Sequence, residues 1–239
     1  MDLPSPLLEG TLVSRYKRFF ADVRLDDGTF VTAHCPNPGA MLGLKDPGLR
    51  AFLSTSDNPK RKLKHTLELV EADDGIKRTL VGINTGRPNA LVEEAILAGR
   101  LLGLDATATL RREVKYGASS RIDILLQAPD GAKTYVEVKN VHLVRSTGLA
   151  EFPDSVTTRG AKHLAELADM VAEGHRAVMV YLVQRGDCTH LDLARDIDPA
   201  YGKAFDAARV RGVEAMAIGC TIDPTRITAN QPITLAINA

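Results

Sequence analysis

The stretch that most restricts the fold is RIDILLQAPDGAKTYVEVK, residues 121–139. Ile122, Ile124 and Leu126 alternate with Arg121, Asp123 and Leu125, and Val136 and Val138 alternate with Tyr135, Glu137 and Lys139. A period of two predicts two strands. Between them, Pro129-Asp130-Gly131 suits a three-residue hairpin loop: Pro pre-sets φ, Asp bonds the backbone locally, and Gly takes the left-handed position. With Ala128 facing Ala132, the register opposes Ile124 to Val136, Asp123 to Glu137, Ile122 to Val138 and Arg121 to Lys139. A slip of one residue would oppose apolar and charged side chains throughout.

Two carboxylates facing each other across solvated strands repel by roughly 0.2–1 kcal/mol. A hard divalent cation between them converts repulsion into ligation, because Mg2+ takes a few carboxylate oxygens together with water and phosphate. Lys139, two residues beyond Glu137, shares its face and can orient a water or stabilise a phosphorane. Asp…Glu-x-Lys on a hairpin is the layout of the PD-(D/E)xK phosphodiesterases. The same three residues also suit the solvated face of an amphipathic strand, so the rest of the chain must decide.

At 239 residues the chain has room for one large domain or two ordinary ones. Its 44% hydrophobic and 25% charged content is that of a soluble globular protein, and the absence of Trp predicts a mainly aliphatic core. Thirty basic and thirty acidic residues cancel, so nucleic-acid binding needs a local patch. No apolar run is long enough to span a bilayer, and MDLPSPLLEG lacks the basic start of a signal peptide. The cysteines Cys35, Cys188 and Cys220, odd in number and widely spaced, predict reduced thiols in a cytoplasmic protein.

Residues 11–25, 29–35, 49–54, 65–72 and 76–83 read as five short strands, with breaks at Asp26-Asp27-Gly28, at 34–39 and at Asp73-Asp74-Gly75. They predict a small barrel over residues 1–82, an OB-fold with an SH3-like barrel as the alternative. The basic run Lys60, Arg61, Lys62 and Lys64 suits tracking of a phosphate backbone by a barrel loop, or is a solvated turn. His34 and Cys35 have no second His/Cys pair at finger spacing, so a turn built on Asn37 and Gly39 is expected there instead of zinc.

From residue 84 helices and strands alternate. Pro88 suits a first helical turn, and Leu91, Ala95, Ala98 and Leu102 recur at helical spacing. Glu94, at the margin of that stripe, either reaches a metal site on the hairpin or is simply exposed. Residues 111–116 predict a strand, and those after 141 a loop containing Arg145, Gly148 and Phe152-Pro153. A helix over 157–172 buries Leu164, Leu167, Ala168 and Val171. Arg159, Lys162, His163 and Glu166 fall on its other face, where three donors near the helix start suit a phosphate or form a solvated surface. AVMVYLV, residues 177–183, predicts a buried central strand. Asp198 and Pro199 begin a helix ending near Gly212, and 213–222 and 233–237 predict late strands. The order α-β-β-β-α-β-α-β over residues 83–239 is that of a mixed-sheet, restriction-endonuclease-like α/β domain. Residues 82–86, GINTG, lack the Gly-Lys-Ser/Thr ending of a phosphate loop.

AHCPNPGAM (33–41), INTGRPNALVEEAI (83–96), EVKYGASSRIDILL (113–126), YVEVKNV (135–141) and FPDSVTTRGAKHLAEL (152–167) together resemble the sugar fermentation stimulation proteins over nearly the whole chain. The resemblance implies an OB-fold joined to a PD-(D/E)xK nuclease-like domain in a DNA-binding protein associated with maltose genes. It places Asp123, Glu137 and Lys139 at the nuclease positions and Glu94 at an acidic position on the preceding helix. Ile122 stands where the motif name has Pro. The leading expectation is therefore a DNA-binding, Mg2+- or Mn2+-dependent phosphodiesterase, with Asp123, Glu137 and Glu94 as ligands and Arg159, Lys162 and His163 gripping phosphate. Its rivals are a DNA-binding regulator that keeps the scaffold without the chemistry, and a scaffold protein whose barrel binds another protein.

Overall fold

The computed structural model describes residues 1–239 except 5, 74, 76, 118, 119, 238 and 239. Short strands between tight turns build the first part: β1 (Leu8–Tyr16), β2 (Phe20–Leu25), β3 (Phe30–His34), β4 (Arg50–Thr55) and β5 (His65–Asp73). They join in the order β3-β2-β1-β4-β5, and His34 pairs in parallel with Thr66 to close β3 on β5. This is the expected OB-like barrel. Its interior is aliphatic, with Leu12, Val23, Leu53, Leu67 and Val81 among its buried residues. The run expected as one strand over 11–25 is two, because Lys17 and Arg18 take left-handed φ of 46° and 64° and fold it into a hairpin. A sixth strand, β6 (Arg78–Gly82), pairs with β5 and leads out of the barrel. The turn expected at 73–75 and the start of the strand expected from 76 include Asp74 and Ile76, which lie outside the described residues.

The second part runs α1 (Pro88–Leu97), β7 (Thr109–Tyr116), β8 (Ser120–Gln127), β9 (Lys133–Val141), β10 (Leu143–Ser146), β11 (Leu149–Phe152), α2 (Thr158–Ala172), β12 (Arg176–Val183), β13 (His190–Leu193), α3 (Pro199–Val210), β14 (Glu214–Asp223), β15 (Arg226–Pro232) and β16 (Thr234–Leu235). The main sheet has the order β15-β14-β12-β9-β8-β7, with β9, β12 and β14 parallel and the outer pairs antiparallel. Its centre is β12, apolar on both faces as a doubly covered strand must be. Val178, Val180 and Leu182 share a core with α1 and with Phe52 and Leu69 of the barrel, while Met179, Tyr181 and Val183 pack with α2 and α3. The barrel is thus seated on one face of a restriction-endonuclease-like sheet.

Two local expectations need correction, and one strand comes without a sequence signal. Residues 143–152 are not a loop: β10 and β11 form a hairpin that joins β13 and β16 in a second, four-stranded sheet. Strand β15, RITANQP, has too few apolar residues to announce itself, yet it pairs along β14. Helix α1 stops at Leu97, before Gly99 at φ 66°, so its buried stripe is Leu91, Val92, Ala95 and Ile96, and Leu102 is exposed. At the junction of the two parts, buried Glu68 accepts from Ser54 Oγ at 2.7 Å, Asn84 Nδ2 at 2.9 Å and Arg87 Nε at 2.8 Å. Residues 82–86 are therefore a structural joint, with Asn84 Oδ1 also accepting from Gly86 N at 3.0 Å. Among the described residues no helix is long and apolar enough to cross a membrane.

Candidate active site

The hairpin closes as its turn chemistry requires. Ala128 N donates to Ala132 O at 2.9 Å, Ala132 N to Asp130 Oδ1 at 2.9 Å, and Gly131 takes φ 89°. Ile124 faces Val136 as expected, and the ladder continues to Gln127 and Lys133. Beyond Ile124 the expected rungs joining Asp123 to Glu137, Ile122 to Val138 and Arg121 to Lys139 are not made. Glu113, on the neighbouring β7, has a left-handed φ of 55° and interrupts the β7–β8 pairing at Asp123. The alternation breaks there too: Ile124 packs in the core under α1, but Ile122 packs with α2. Asp123 fills the gap between the strands, its Oδ2 accepting Val138 N–H at 2.8 Å in place of a backbone carbonyl.

Helix α1 supplies Asn89, whose Nδ2 donates to Asp123 Oδ1 at 2.9 Å. Glu137 is only 2% exposed. Its Oε1 accepts from Lys139 Nζ at 2.7 Å and from His163 Nδ1, while its Oε2 is buried without a partner among the described residues. Arg159 Nε donates to His163 Nε2 at 3.2 Å. That bond occupies the Nε2 lone pair, so a neutral His163 ring carries its proton on Nδ1, toward Glu137. Thr85, Pro88 and Asn140 complete a cleft of about 240 Å3.

The two carboxylates are driven in opposite directions. Burial, and then the charge of Glu137, push Asp123 up to about 6, against the Val138 N–H, Asn89 and Lys139. Burial also pushes Glu137 up, but its bond to His163 and the charge of Lys139 outweigh that and hold it below the usual carboxylate range. The cleft therefore presents one firmly ionised carboxylate beside one that titrates near neutrality. Among the described residues no group of three or more His, Cys, Asp or Glu side chains is placed to hold a metal. Among the described residues that line the cleft, Asp123 and Glu137 supply the carboxylate oxygens.

Comparison with known proteins agrees with this architecture along the whole chain. Residues 13–83 match the family described as the SfsA N-terminal OB domain, and residues 86–226 the sugar fermentation stimulation protein RE domain. The sugar fermentation stimulation protein homolog of Rhizobium meliloti is 56% identical over 233 residues, covering 98% of this chain and 96% of that protein. The Brucella ovis homolog is 56% identical over 231 residues, covering 97% and 95%. The chain belongs to the sugar fermentation stimulation protein family. The structure of the Pyrococcus furiosus family member, solved in complex with Ca2+, superposes with a TM-score of 0.86 at 25% identity, covering 99% of this chain and 98% of that one.

In this family member, Asp123, Glu137, Lys139, Arg159 and His163 come together in one cleft. Glu94 does not join them. It is 47% exposed and bound to the Met1 ammonium at 2.7 Å. The α1 residue that reaches Asp123 is Asn89, five positions earlier and so on another side of the helix. Lys162 lies outside the cleft, 3.5 Å from Glu166. His163 and Glu166, on the face of α2 read as phosphate-gripping or solvated, are buried, because the polar ends of β8 and β9 cover that side of α2: His163 meets Glu137 and Glu166 meets Ser120. Lys60, Lys62 and Lys64 are exposed in the loop between β4 and β5, and Arg61 there donates to Thr66 Oγ1 at 2.9 Å. Sequence reasoning missed Asn89 and Asn140. The available signals were a polar residue directly after the helix-starting Pro88 and one directly after the Glu-x-Lys triplet. The turn expected at Asn37 and Gly39 is present, with Gly39 N donating to Asn37 Oδ1 at 2.9 Å.

Proposed function

We propose that this chain is a DNA-binding phosphodiesterase of the PD-(D/E)xK type that works with Mg2+ or Mn2+, built from an OB-like unit over residues 1–82 and a nuclease-like unit over residues 83–239. The observation that carries the reading is the unpartnered Glu137 Oε2, buried beside Asp123. A buried acceptor without a donor is costly, and an ionised neighbour raises the cost. A hard divalent cation answers both, and it needs no more than one or two carboxylates with water and phosphate. Val138 adds a carbonyl on the same strand edge as the N–H it gives to Asp123. The Ca2+ carried by the Pyrococcus furiosus relative supports a divalent ion. When bound, such an ion supplies Lewis-acid stabilisation to the phosphoryl oxygens.

The chain's own groups divide the remaining work. Asn89 and the Val138 N–H orient Asp123. His163, aligned by Arg159, keeps Glu137 ionised and turns its Oε2 free. The Lys139 ammonium orients the attacking water or neutralises charge developing on phosphate. Arg159, at the cleft edge, and the loop bearing Lys60, Arg61, Lys62 and Lys64 supply phosphate contacts. A non-catalytic DNA-binding regulator of sugar-metabolism genes is the second reading, favoured by the presence of only two carboxylates among the described residues of the cleft.

The test is incubation of pure protein with labelled single-stranded, duplex and branched DNA, with and without Mg2+ or Mn2+. Cleavage that needs the cation and vanishes in Asp123→Ala is expected, as is cation-dependent thermal stabilisation lost in the same variant. Absence of cleavage across metals and DNA forms overturns the phosphodiesterase and leaves the regulator.

A further inference from the structure

The barrel's cations are unevenly compensated. Arg50 and Arg78 sit in ion pairs with nearby carboxylates, whereas no ion pair among the described residues holds Arg15, Arg18 or Lys45. These three line a groove of about 440 Å3 whose far side is Ser155 and Val156, just before α2. Between them run Pro38, Gly39 and Ala40, and among the described residues no carboxylate lines the groove. Asp154, one residue before Ser155, is turned away to accept from Met41 N at 3.0 Å and to meet His142 Nε2 at 3.2 Å.

The groove is built rather than incidental. Arg15 Nη2 donates to the carbonyls of Arg18, Asn37 and Gly39 at 3.1, 2.7 and 2.9 Å, and its Nε is buried without a partner among the described residues. Gly39 is held so close to Asp154 that a Cβ there would lie 2.7 Å from Oδ2. Lys17 and Arg18 occupy left-handed backbone, unfavourable for side chains larger than glycine. Val156 in the groove lining is 73% exposed, and Phe19, next to Arg18 in the turn, is 48% exposed.

It also leads to the cleft. Pro36 O accepts from Thr85 N at 3.1 Å and from Thr85 Oγ1 at 2.7 Å, and Thr85 lines the cleft. Arg159, three residues after Val156, lines it as well. The barrel loop that lines the groove is therefore hydrogen-bonded to a cleft residue, and the segment that starts α2 borders both features.

We propose that this groove carries an unpaired segment of nucleic acid next to the cleft, so that the substrate is a nucleic acid with a single-stranded stretch adjoining the scissile phosphate. The inference rests on the phosphodiesterase reading of the cleft. A row of uncompensated cations suits one backbone. Exposed Phe19 and Val156 suit bases whose faces are open, which a duplex keeps stacked inside.

Fluorescence anisotropy tests it, with and without Ca2+, on a blunt duplex and on the same duplex bearing a 3′ or a 5′ single-stranded DNA tail. Wild type should bind one tailed form at least about tenfold more tightly than the blunt one, since each stacked base and phosphate contact adds affinity. Arg18→Glu with Lys45→Glu should erase that advantage while leaving blunt-duplex affinity within about threefold, and Phe19→Ala should lose roughly fivefold on the tailed form only. All three side chains are exposed, so melting temperatures should stay near wild type. The control, Arg100→Glu with Lys203→Glu, reverses two exposed charges elsewhere. No tail preference in wild type, or equal weakening of blunt and tailed forms by the groove variant and the control, overturns the proposal. Cleavage by wild type is scored separately. Tail preference without cleavage keeps the groove and sinks the phosphodiesterase, and cleavage without tail preference does the reverse.

Discussion

In metal-free protein, Asp123→Asn should stabilise the fold at neutral to alkaline pH. Asp123 stands at about 6 against an ordinary 3.8, mainly through burial and the charge of Glu137. At about 1.4 kcal/mol per pH unit, keeping it ionised in the folded protein costs about 3 kcal/mol. A raised carboxylate contributes stability that is fully present below about pH 4 and lost as pH rises through 6. The amide carries no charge and can still accept the Val138 N–H, provided the Asn89 amide flips to offer its oxygen. Above pH 7 the variant should therefore be more stable by about 1–3 kcal/mol, or some 2–4 °C in melting temperature per kcal/mol for a chain of this size. The gap should close toward pH 4. Denaturant unfolding of both proteins across pH 4–8 in a chelator measures it, and the difference between them cancels the titration of other groups. Millimolar Mg2+ or Mn2+ should then reverse the order by stabilising wild type alone. A variant no more stable than wild type at pH 8, with a flat difference down to pH 4, would refute the crowding of the two carboxylates.

Glu68→Ala should cost about 2–4 kcal/mol in denaturant unfolding, because it leaves half-buried Arg87 without its carboxylate and two further donors unmet; a loss under about 1 kcal/mol would mean the joint is solvated. Lys139→Met should lower cation-dependent cleavage by about 10²–10³ while shifting DNA affinity by no more than about 1 kcal/mol, measured by single-turnover cleavage and anisotropy; cleavage at the wild-type rate removes Lys139 from the chemistry. Asp154, lowered to about 2 because its bond to His142, the charge of His142 and the Met41 N–H outweigh burial, contributes stability present above about pH 4 and lost as pH falls through 2. Asp154→Asn should thus be about 2 kcal/mol less stable at pH 7, with the difference vanishing near pH 2 in pH-resolved unfolding.

What could be read without coordinates was local. Pro129-Asp130-Gly131 and strict alternation are enough to set Ile124 opposite Val136, since turn geometry and side-chain period act over a few residues. The unbroken apolar run of β12 likewise signals a strand covered on both faces. The breaks at 26–28 and 34–39 mark out barrel strands, and the order of elements from 84 onward is that of the mixed sheet.

The site's working details needed the tertiary structure. Periodicity continues the hairpin ladder through Asp123, but the left-handed turn of Glu113 on β7 ends it and aims the carboxylate at Val138. Helical spacing puts His163 on a polar, outward face, yet what an α2 side chain meets depends on how the helix lies across β9, and there it meets Glu137. Glu94 and Asn89 both look available on α1; which of them reaches the hairpin follows from the burial of Leu91, Val92, Ala95 and Ile96 against the sheet. The groove of Arg15, Arg18 and Lys45 is scattered over three segments and closed by a fourth from the other half of the chain. Local rules carry no information about which distant surfaces share a wall, because that is decided by how the barrel's Phe52 and Leu69 seat on the sheet.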